Sequence, residues 1–453
     1  MSVDVADGLD GRTSSDWRIP AVAFAVNGAL YGSLLTRFPE IADRVSASET
    51  QFGVVLFAAA IGGLLGSLVA PLLARAVGER SATLLAGAGY ALLAVGVAWA
   101  PQLILLGGAL LLLGVLDGAH DVAMNAFAVR VQQHRATTLM GRMHATWSLS
   151  LAGAGVLGTV AAGLRVPVAL HVGLAATVAL AAQLAIALGR KGMVAEGTPA
   201  PTPPVDGPPA SAPTGRRPST PATTGDSPST PATTGVGPST PVRTGVGPST
   251  PVRTGDSPAR PARTLRRLRY VLPVLGLAAV AASYVESPGQ EWTGLLLSRG
   301  FDATPQVAAA APVLFGAGLL ASRLLLDAAV SRVGQARVAA VSGATMMTAV
   351  VVGLLCTLLA APVWWALVAV AVAGFGAGPA FPLLFGSADQ LSVRHGIPPA
   401  RTASMVSALS RVGAISAPIV VGPLTDAFGM GMVFAIMAVG AALVLGALPR
   451  AVR

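Results

Sequence analysis

Asp117, His120, Asp121 and Asn125 interrupt "LLLLGVLDGAHDVAMNAFAVR", Leu110 to Arg130, a stretch that otherwise reads as helix buried in hydrocarbon. On a helix, Asp117, Asp121 and Asn125 fall at i, i+4 and i+8, with His120 one position off the stripe, so all four point to one side. Leu, Val and Ala cover the rest. An ionised carboxylate in hydrocarbon is expensive, so such a residue faces a bundle interior or water, or it carries a proton. Two acids one turn apart with an imidazole beside them therefore form a candidate proton carrier. The structural alternative is that one acid pairs with His120 or caps a neighbouring helix.

Polar residues recur at few other points inside apolar runs. Asn27 and Tyr31, again i and i+4, suit a ligand with hydroxyl or carbonyl groups, and equally suit helix-to-helix hydrogen bonding. His144, Trp147 and Ser148 open another run, where His144 would relay a proton, hold a gate or make a structural bond. In "SYVESPGQEW", Glu286 precedes Pro288 and Gly289, a pair that breaks helices and can unwind the chain where it lines a cavity. Glu286 is thus a candidate binding and protonation site, and Trp292 a stacking wall or interfacial anchor. Arg411 needs an anion, with Glu286, Asp117 or a substrate carboxylate as partners and a permanent salt bridge as the plain alternative. Arg323 and Asp327, at i and i+4, read as a gate or structural ion pair.

The elements that hold these residues follow from composition. Of 453 residues 53% are hydrophobic and 11% charged, with a mean hydropathy of +0.68, whereas a soluble domain carries about 25% charged residues. Crossing a bilayer takes about 20 apolar residues. Hydropathy with Gly, Pro and charge as boundaries gives twelve such spans, at residues 18–35, 52–73, 82–99, 102–129, 143–164, 166–188, 268–297, 307–330, 338–359, 363–387, 403–427 and 430–448. The expected fold is all-α and integral to a membrane, with twelve transmembrane helices in two six-helix bundles. The glycines of "AAIGGLLGS", Ala59 to Ser67, permit close helix packing and need no chemistry.

A formal net charge of +10 raises the question of nucleic acid, and the placement of the basic residues answers it. With both termini inside, cytoplasmic segments hold 24 basic residues and external ones hold four, Arg37, Arg44, Arg165 and Arg299. Without the long central segment the ratio is still 13 to four. This is the bias of a multi-pass protein of the cell inner (plasma) membrane with cytoplasmic termini. Nucleic acid is not an expected partner. The single cysteine, Cys356, excludes a disulfide framework and a thiolate metal site. Asp4, Asp7, Asp10 and Asp16 are the wrong charge for a cleaved signal peptide, so the first span is expected to be retained.

Between the two sets of spans the composition turns to Pro, Thr, Ser and Gly. From Gly215 to Thr264 it becomes five decamers, GRRPSTPATT, GDSPSTPATT, GVGPSTPVRT, GVGPSTPVRT and GDSPARPART. None offers an apolar face that would offset the entropy of ordering it. The expected organisation is a cytoplasmic tail (1–17), a six-helix bundle (18–189), a disordered linker (190–267), a second bundle (268–448) and a short tail (449–453). The linker is read as a spacer; a phosphorylated or partner-binding tether is the alternative.

Two tight basic turns sit at matching places in the halves, "RAVGER" (Arg75 to Arg80) after span two and "SRVGQAR" (Ser331 to Arg337) after span eight. They resemble the loop Gly-x-x-x-Asp-Arg-x-Gly-Arg-Arg of the major facilitator superfamily. Gly78 and Arg80 fit the first copy, with Arg75 at the acidic position; Arg332 and Gly334 fit the second, with Ser331 in place of Asp. "RFPEI" (Arg37 to Ile41), "DVAMNAFAV" (Asp121 to Val129), "MHATWSL" (Met143 to Leu149) and "FPLLFGSA" (Phe381 to Ala388) resemble the fucose-permease-like and sugar-transporter-like bacterial branch of that superfamily. "ESPGQEW" (Glu286 to Trp292) is similar to an acidic pattern in span seven of those relatives. Arg411 departs from them, since that region is there apolar or aromatic.

The resemblance implies secondary active transport by alternating access, with a sugar-like solute, and the buried carboxylates favour proton coupling. The candidate substrate-binding residues are Asn27, Tyr31, Asn125, Trp147, Glu286, Trp292 and Arg411. Those for proton coupling are Asp117, His120, Asp121, His144 and Glu286. Proton-driven efflux of a hydrophobic or amphipathic metabolite or drug is the main competitor, because the chain is so apolar. A transporter-like sensor or scaffold that signals through the linker is a reading of another class. No GxxxxGK[ST] loop occurs and no nucleophile or metal-ligand constellation suggests an enzyme, so the expected partners are a small solute, protons and the bilayer, with no cofactor and a monomeric chain.

Overall fold

The computed structural model describes residues 17–135, 139–188, 261–395 and 399–451, and in these the chain is almost entirely helical. The first half contains α1 (Arg18–Leu35), the short α2 (Phe38–Arg44), α3 (Glu49–Val77), α4 (Glu79–Trp99), α5 (Leu103–Arg135), α6 (Met140–Gly163) and α7 (Val168–Leu188). The second contains α8 (Pro261–Glu291), α9 (Thr293–Gly300), α10 (Pro305–Val333), α11 (Gln335–Leu358), α12 (Val363–Ala377), α13 (Ala380–His395), α14 (Pro399–Phe428) and α15 (Met432–Ala451). Among the described residues eleven helical segments, counting α12 and α13 as one, are long and apolar enough to cross a membrane. With α8 they make twelve spans in two six-helix bundles. Most of the decamer repeats lie outside the described residues.

The large apolar side chains left uncovered confirm which medium these helices meet. Leu68, Ile104, Leu324 and Trp364 are 66%, 79%, 75% and 63% exposed, as lipid-facing positions of such a bundle should be. Inside, small residues let backbones touch. A Cβ on Gly66 would sit 2.0 Å from the Val115 carbonyl oxygen of α5, and one on Gly118 would sit 2.1 Å from that of Gly63. The "AAIGGLLGS" run thus lies directly on α5, with no side chains between the two backbones.

The duplication is visible in geometry as well as order. Gly78 separates α3 from α4 with φ 83° and ψ 156°, and Gly334 separates α10 from α11 with φ 85° and ψ 154°. Both angles lie where only glycine is comfortable, so the two basic turns are one turn made twice. The bundles meet along α3 with α14 and along α6 with α10. Span two matches span eight and span five matches span eleven, so these seams are equivalent under the pseudo-two-fold relation between halves.

Their close approaches gather toward the end of the molecule that carries α2 and α9. Gly53 lies against the backbone of Pro418 and Gly422, Gly155 against Val313, and Gly163 against Gln306. At that end Arg299 of α9 donates to Asp43 at 2.8 Å and to Glu49 at 3.1 Å. Partial burial weakens the Arg299 cation, but the bonds to Asp43 and Glu49 more than restore it, and its pKa rises. Asp426 of α14 accepts from the Ser48 hydroxyl and the Thr50 amide at the start of α3. Arg37, fully buried, pairs with Glu40 and donates to the Val166 carbonyl at 2.6 Å.

Two details correct the sequence reading. The chain does not unwind at Pro288 and Gly289: α8 continues to Glu291 and the break falls at Trp292. Proline removes one donor, yet the Trp292 amide still reaches the Pro288 carbonyl at 2.9 Å, so the turn survives. Gly289 is there for packing, since the Phe315 ring lies 2.3 Å from where its Cβ would be. The tenth span also breaks, between α12 and α13, at Gly378 and Pro379.

Candidate functional site

Between the bundles α1, α3, α4, α5 and α6 wall a cavity of about 320 Å³, which Glu291 of α8 closes from the other half. A second lobe of about 250 Å³ continues through Tyr31 and Glu291 to Glu286, Gln290, Phe381 and Arg411. A smaller apolar pocket of about 90 Å³ lies beside Trp147 and Glu286, walled by Leu151, Val313 and Leu320. The two larger volumes suit a solute of monosaccharide size, near the lower end of the usual range of about 300–1,000 Å³ for ligand sites.

Asn27 organises the wall on the first bundle. Its side-chain oxygen accepts from the Trp147 indole N–H at 2.8 Å. Indole nitrogen only donates, and this fixes which end of the amide faces which way. The Asn27 nitrogen then donates to Asp117 at 2.7 Å and lies 3.4 Å from Nδ1 of His120. His120 Nδ1 must accept, so the neutral imidazole carries its proton on Nε2.

That Nε2 points away from the cavity. His120 is completely buried, and its Nε2, like both polar atoms of Gln183, has no hydrogen-bond partner among the described residues. Two of these atoms face Gly87, where an added Cβ would meet Gln183 Oε1 at 2.6 Å and His120 Nε2 at 2.8 Å. His120 therefore lies behind the cavity wall, connected to it through Asn27, rather than on its surface.

The remaining predicted residues divide. Tyr31, Asp117, Asp121 and Trp147 line the larger lobe with Asn27, and Glu286 and Arg411 line the other. Asn125 bonds back to Asp121 of its own helix, at 2.8 Å to the carbonyl and 3.1 Å to the carboxylate. It thereby holds Asp121 instead of meeting the cavity. His144 stands edge-on to Phe24 with ring centroids 5.4 Å apart.

Three expectations change. Trp292 is neither a stacking wall nor an interfacial anchor, because it is fully buried against Phe52 with ring centroids 5.5 Å apart. Arg323 does not pair with Asp327. It reaches α8, at 3.3 Å from Glu286, and the Gly378 carbonyl at 3.2 Å. Glu286 is largely shielded and gains most from a cation, whereas Asp327 is exposed and solvated. Glu286 is thereby taken, and Arg411 instead donates to Ser67 of α3 at 3.3 Å, across the seam.

Sequence reasoning missed Glu291 and Tyr90. Glu291 is held in the cavity by the Ser287 hydroxyl at 3.0 Å, one turn earlier. Tyr90 is fully buried on the same wall with an unpartnered hydroxyl. The signal was scarcity, since the chain has only four tyrosines and two of them meet in this cavity.

Comparison with known proteins gives the setting. The profile of the Major Facilitator Superfamily matches residues 21–397. An uncharacterized transporter, y4wD, of Sinorhizobium fredii (strain NBRC 101917 / NGR234) is 28% identical over 160 residues, 35% of this chain and 42% of that protein. The membrane protein MosC of Rhizobium meliloti is 26% identical over 159 residues, 34% of this chain and 39% of its own. The match thus spans less than half the length of these relatives. Among solved structures, a mutant form of the nucleoside transporter NupG aligns with TM-score 0.67 and 11% identity, over 96% of this chain and all of the other. A bacterial homolog to the human lysosomal transporter Spinster, inward-facing and unoccupied, aligns with TM-score 0.63 and 12% identity, over 98% of each chain. At these identities the structural likeness speaks to fold alone.

Proposed function

The chain belongs to the Major Facilitator Superfamily, and on that premise we propose that it moves a small, sugar-sized polar solute by alternating access, coupled to protons. One observation carries the reading. The carboxylates of Asp117, Asp121 and Glu291 enter a single cavity from both bundles, and none has a basic side chain within salt-bridge distance among the described residues. Such a group inside a membrane is a default site for a proton or a polar ligand.

The fastening of the bundles supports the same reading. Their hydrogen-bonded contacts concentrate at the α2 and α9 end, and the bias of basic residues puts that end outside the cell. The arrangement then corresponds to a carrier shut externally, with Asp43, Glu49 and Arg299 in the closed gate. Release of these contacts, with tightening along the other halves of the seams, exposes the cavity to the outside. The decamer region acts in this reading as a spacer between halves.

The apolar pocket beside Trp147 favours a second reading, in which the solute is amphipathic and is exported. Flux in proteoliposomes, with and without an imposed pH gradient, separates the two when sugars and lipophilic cations are compared. Flux indifferent to the gradient and unchanged in Asp121→Asn and Glu291→Gln sinks the coupling. Flux confined to lipophilic compounds sinks the sugar-sized polar solute.

A further inference from the structure

We propose that the transported solute carries a protonated amine, an inference that rests on the transport reading above and assigns the chemistry of its cavity.

Almost every donor is already committed to protein. The Trp147 N–H is taken by Asn27, and the Asn27 amide by Asp117 and His120. The Ser283 hydroxyl donates to the Ser410 carbonyl, the Ser410 hydroxyl donates to the Ser407 carbonyl, and Ser287 serves Glu291. Gln290 donates to Glu286, and Arg323 donates to the same carboxylate. What remains to donate is the guanidinium of Arg411 beyond its bond to Ser67, the second N–H of Gln290, and the Tyr31 and Tyr90 hydroxyls.

Acceptors are left over in the same space. Asp117 uses one oxygen on Asn27, Asp121 one on Asn125, and Glu291 one on Ser287. Each keeps a second oxygen, and an ionised carboxylate only accepts. Three carboxylates face one cationic side chain, so in their ionised form an occupant that supplies both donors and positive charge meets their open oxygens better than one that supplies donors alone. A neutral polyol supplies donors without the charge. An ammonium supplies both, and hydroxyls on the same molecule can bind the tyrosines while an acceptor on it meets Arg411.

The test uses the purified full-length protein and matched probes. Glucosamine, ethanolamine and putrescine are compared in thermal-shift titrations with glucose, N-acetylglucosamine, ethylene glycol and 1,4-butanediol. At least one amine should stabilise the protein at a concentration tenfold or more below that of its neutral match. Asp117→Asn and Glu291→Gln should each narrow that preference. N-acetylglucosamine keeps the ring and removes the charge, so the comparison stands on wild-type protein even where a variant fails to fold. Equal response to amine and neutral match, or no response to any amine, overturns the assignment. Flux of a neutral sugar in proteoliposomes with no amine response would leave transport standing and remove the amine. Amine binding without flux of that amine would do the reverse.

Discussion

Asp426 of α14 caps a helix that belongs to the other bundle: its carboxylate accepts from the Ser48 hydroxyl at 3.0 Å and from the Thr50 amide at 3.2 Å, in the first turn of α3. A negative side chain at a helix N-terminus is favourable because the first amides there lack partners. Ser48 and Gln51 cap each other within α3, but the Thr50 amide finds this partner only while the two bundles are together, so part of the cap is also a contact of the closed end.

Replacing this carboxylate should therefore open the gate more often without unfolding the protein. In Asp426→Asn and Arg299→Ala we expect the α2 end to open several-fold more, in line with about 1 kcal/mol for a partly exposed contact. A cysteine at Leu34, which lines the larger lobe, reports it in a Cys356→Ala background. Maleimide labelling from the α2 side that stays at the wild-type rate would refute the gate.

The Asn27 amide serves Trp147, Asp117 and His120 together, so its removal should cost more than one hydrogen bond. Of the three groups that Asn27→Leu leaves without this partner, Asp117 faces the cavity, and the other two should make unfolding easier by roughly 2–6 kcal/mol at about 1–3 kcal/mol each. Solute flux should fall at least tenfold. A variant that melts normally and transports normally would show that the amide organises nothing.

Gly87→Ala addresses the buried face of His120 and leaves the cavity wall untouched. The new methyl must displace the ends of two side chains, Gln183 and His120, and not backbone, so folding should survive at a cost of about 1–3 kcal/mol. Displaced His120 no longer holds its place against Asn27, and proton-driven accumulation should drop more than solute exchange. Equal loss of both would assign His120 to folding alone.

Glu286 and Arg323 should show measurable coupling in a double-mutant cycle. With side chains 20% and 37% exposed, the pair is too wet for a large value, and about 0.5–1 kcal/mol is expected from thermal denaturation of Glu286→Gln, Arg323→Gln and both together. Asp327→Asn should have no coupling to Arg323. The reverse pattern would restore the pairing along α10 that the sequence suggested.

Outside the membrane-spanning helices, Glu40 should give the protein a pH signature. Burial pushes its carboxyl above the usual range, and Arg37 only partly offsets this. The folded state then binds this proton more tightly than the unfolded chain, so its contribution is full below the ordinary carboxylate pKa and is lost as pH rises through the raised one. Glu40→Gln should flatten that decline in a plot of melting temperature against pH.

The spans, the duplicated halves and the stripe on α5 were legible because each is a periodic signal in one segment. Asp117 and Asp121 needed only helical spacing to be placed on one side. The cavity partners were less legible, because they depend on how separate helices rotate against one another. Nothing local in the sequence of α10 says that Arg323 prefers Glu286 to Asp327. The break after Glu291 was misplaced for a related reason: Pro288 signals a missing donor, but whether a turn survives depends on packing, here that of Phe315 on Gly289.

The backbone contact between α3 and α5 has a mechanical consequence. Gly62, Gly66, Gly114 and Gly118 leave no deformable layer of side chains between these helices, so one cannot shift without carrying the other. α3 forms a seam with the second bundle and α5 bears Asp117 and Asp121. A change in the charge of those carboxylates and a change in the fit against α14 are therefore joined by a stiff connecting rod, with little slack in which the signal could be lost.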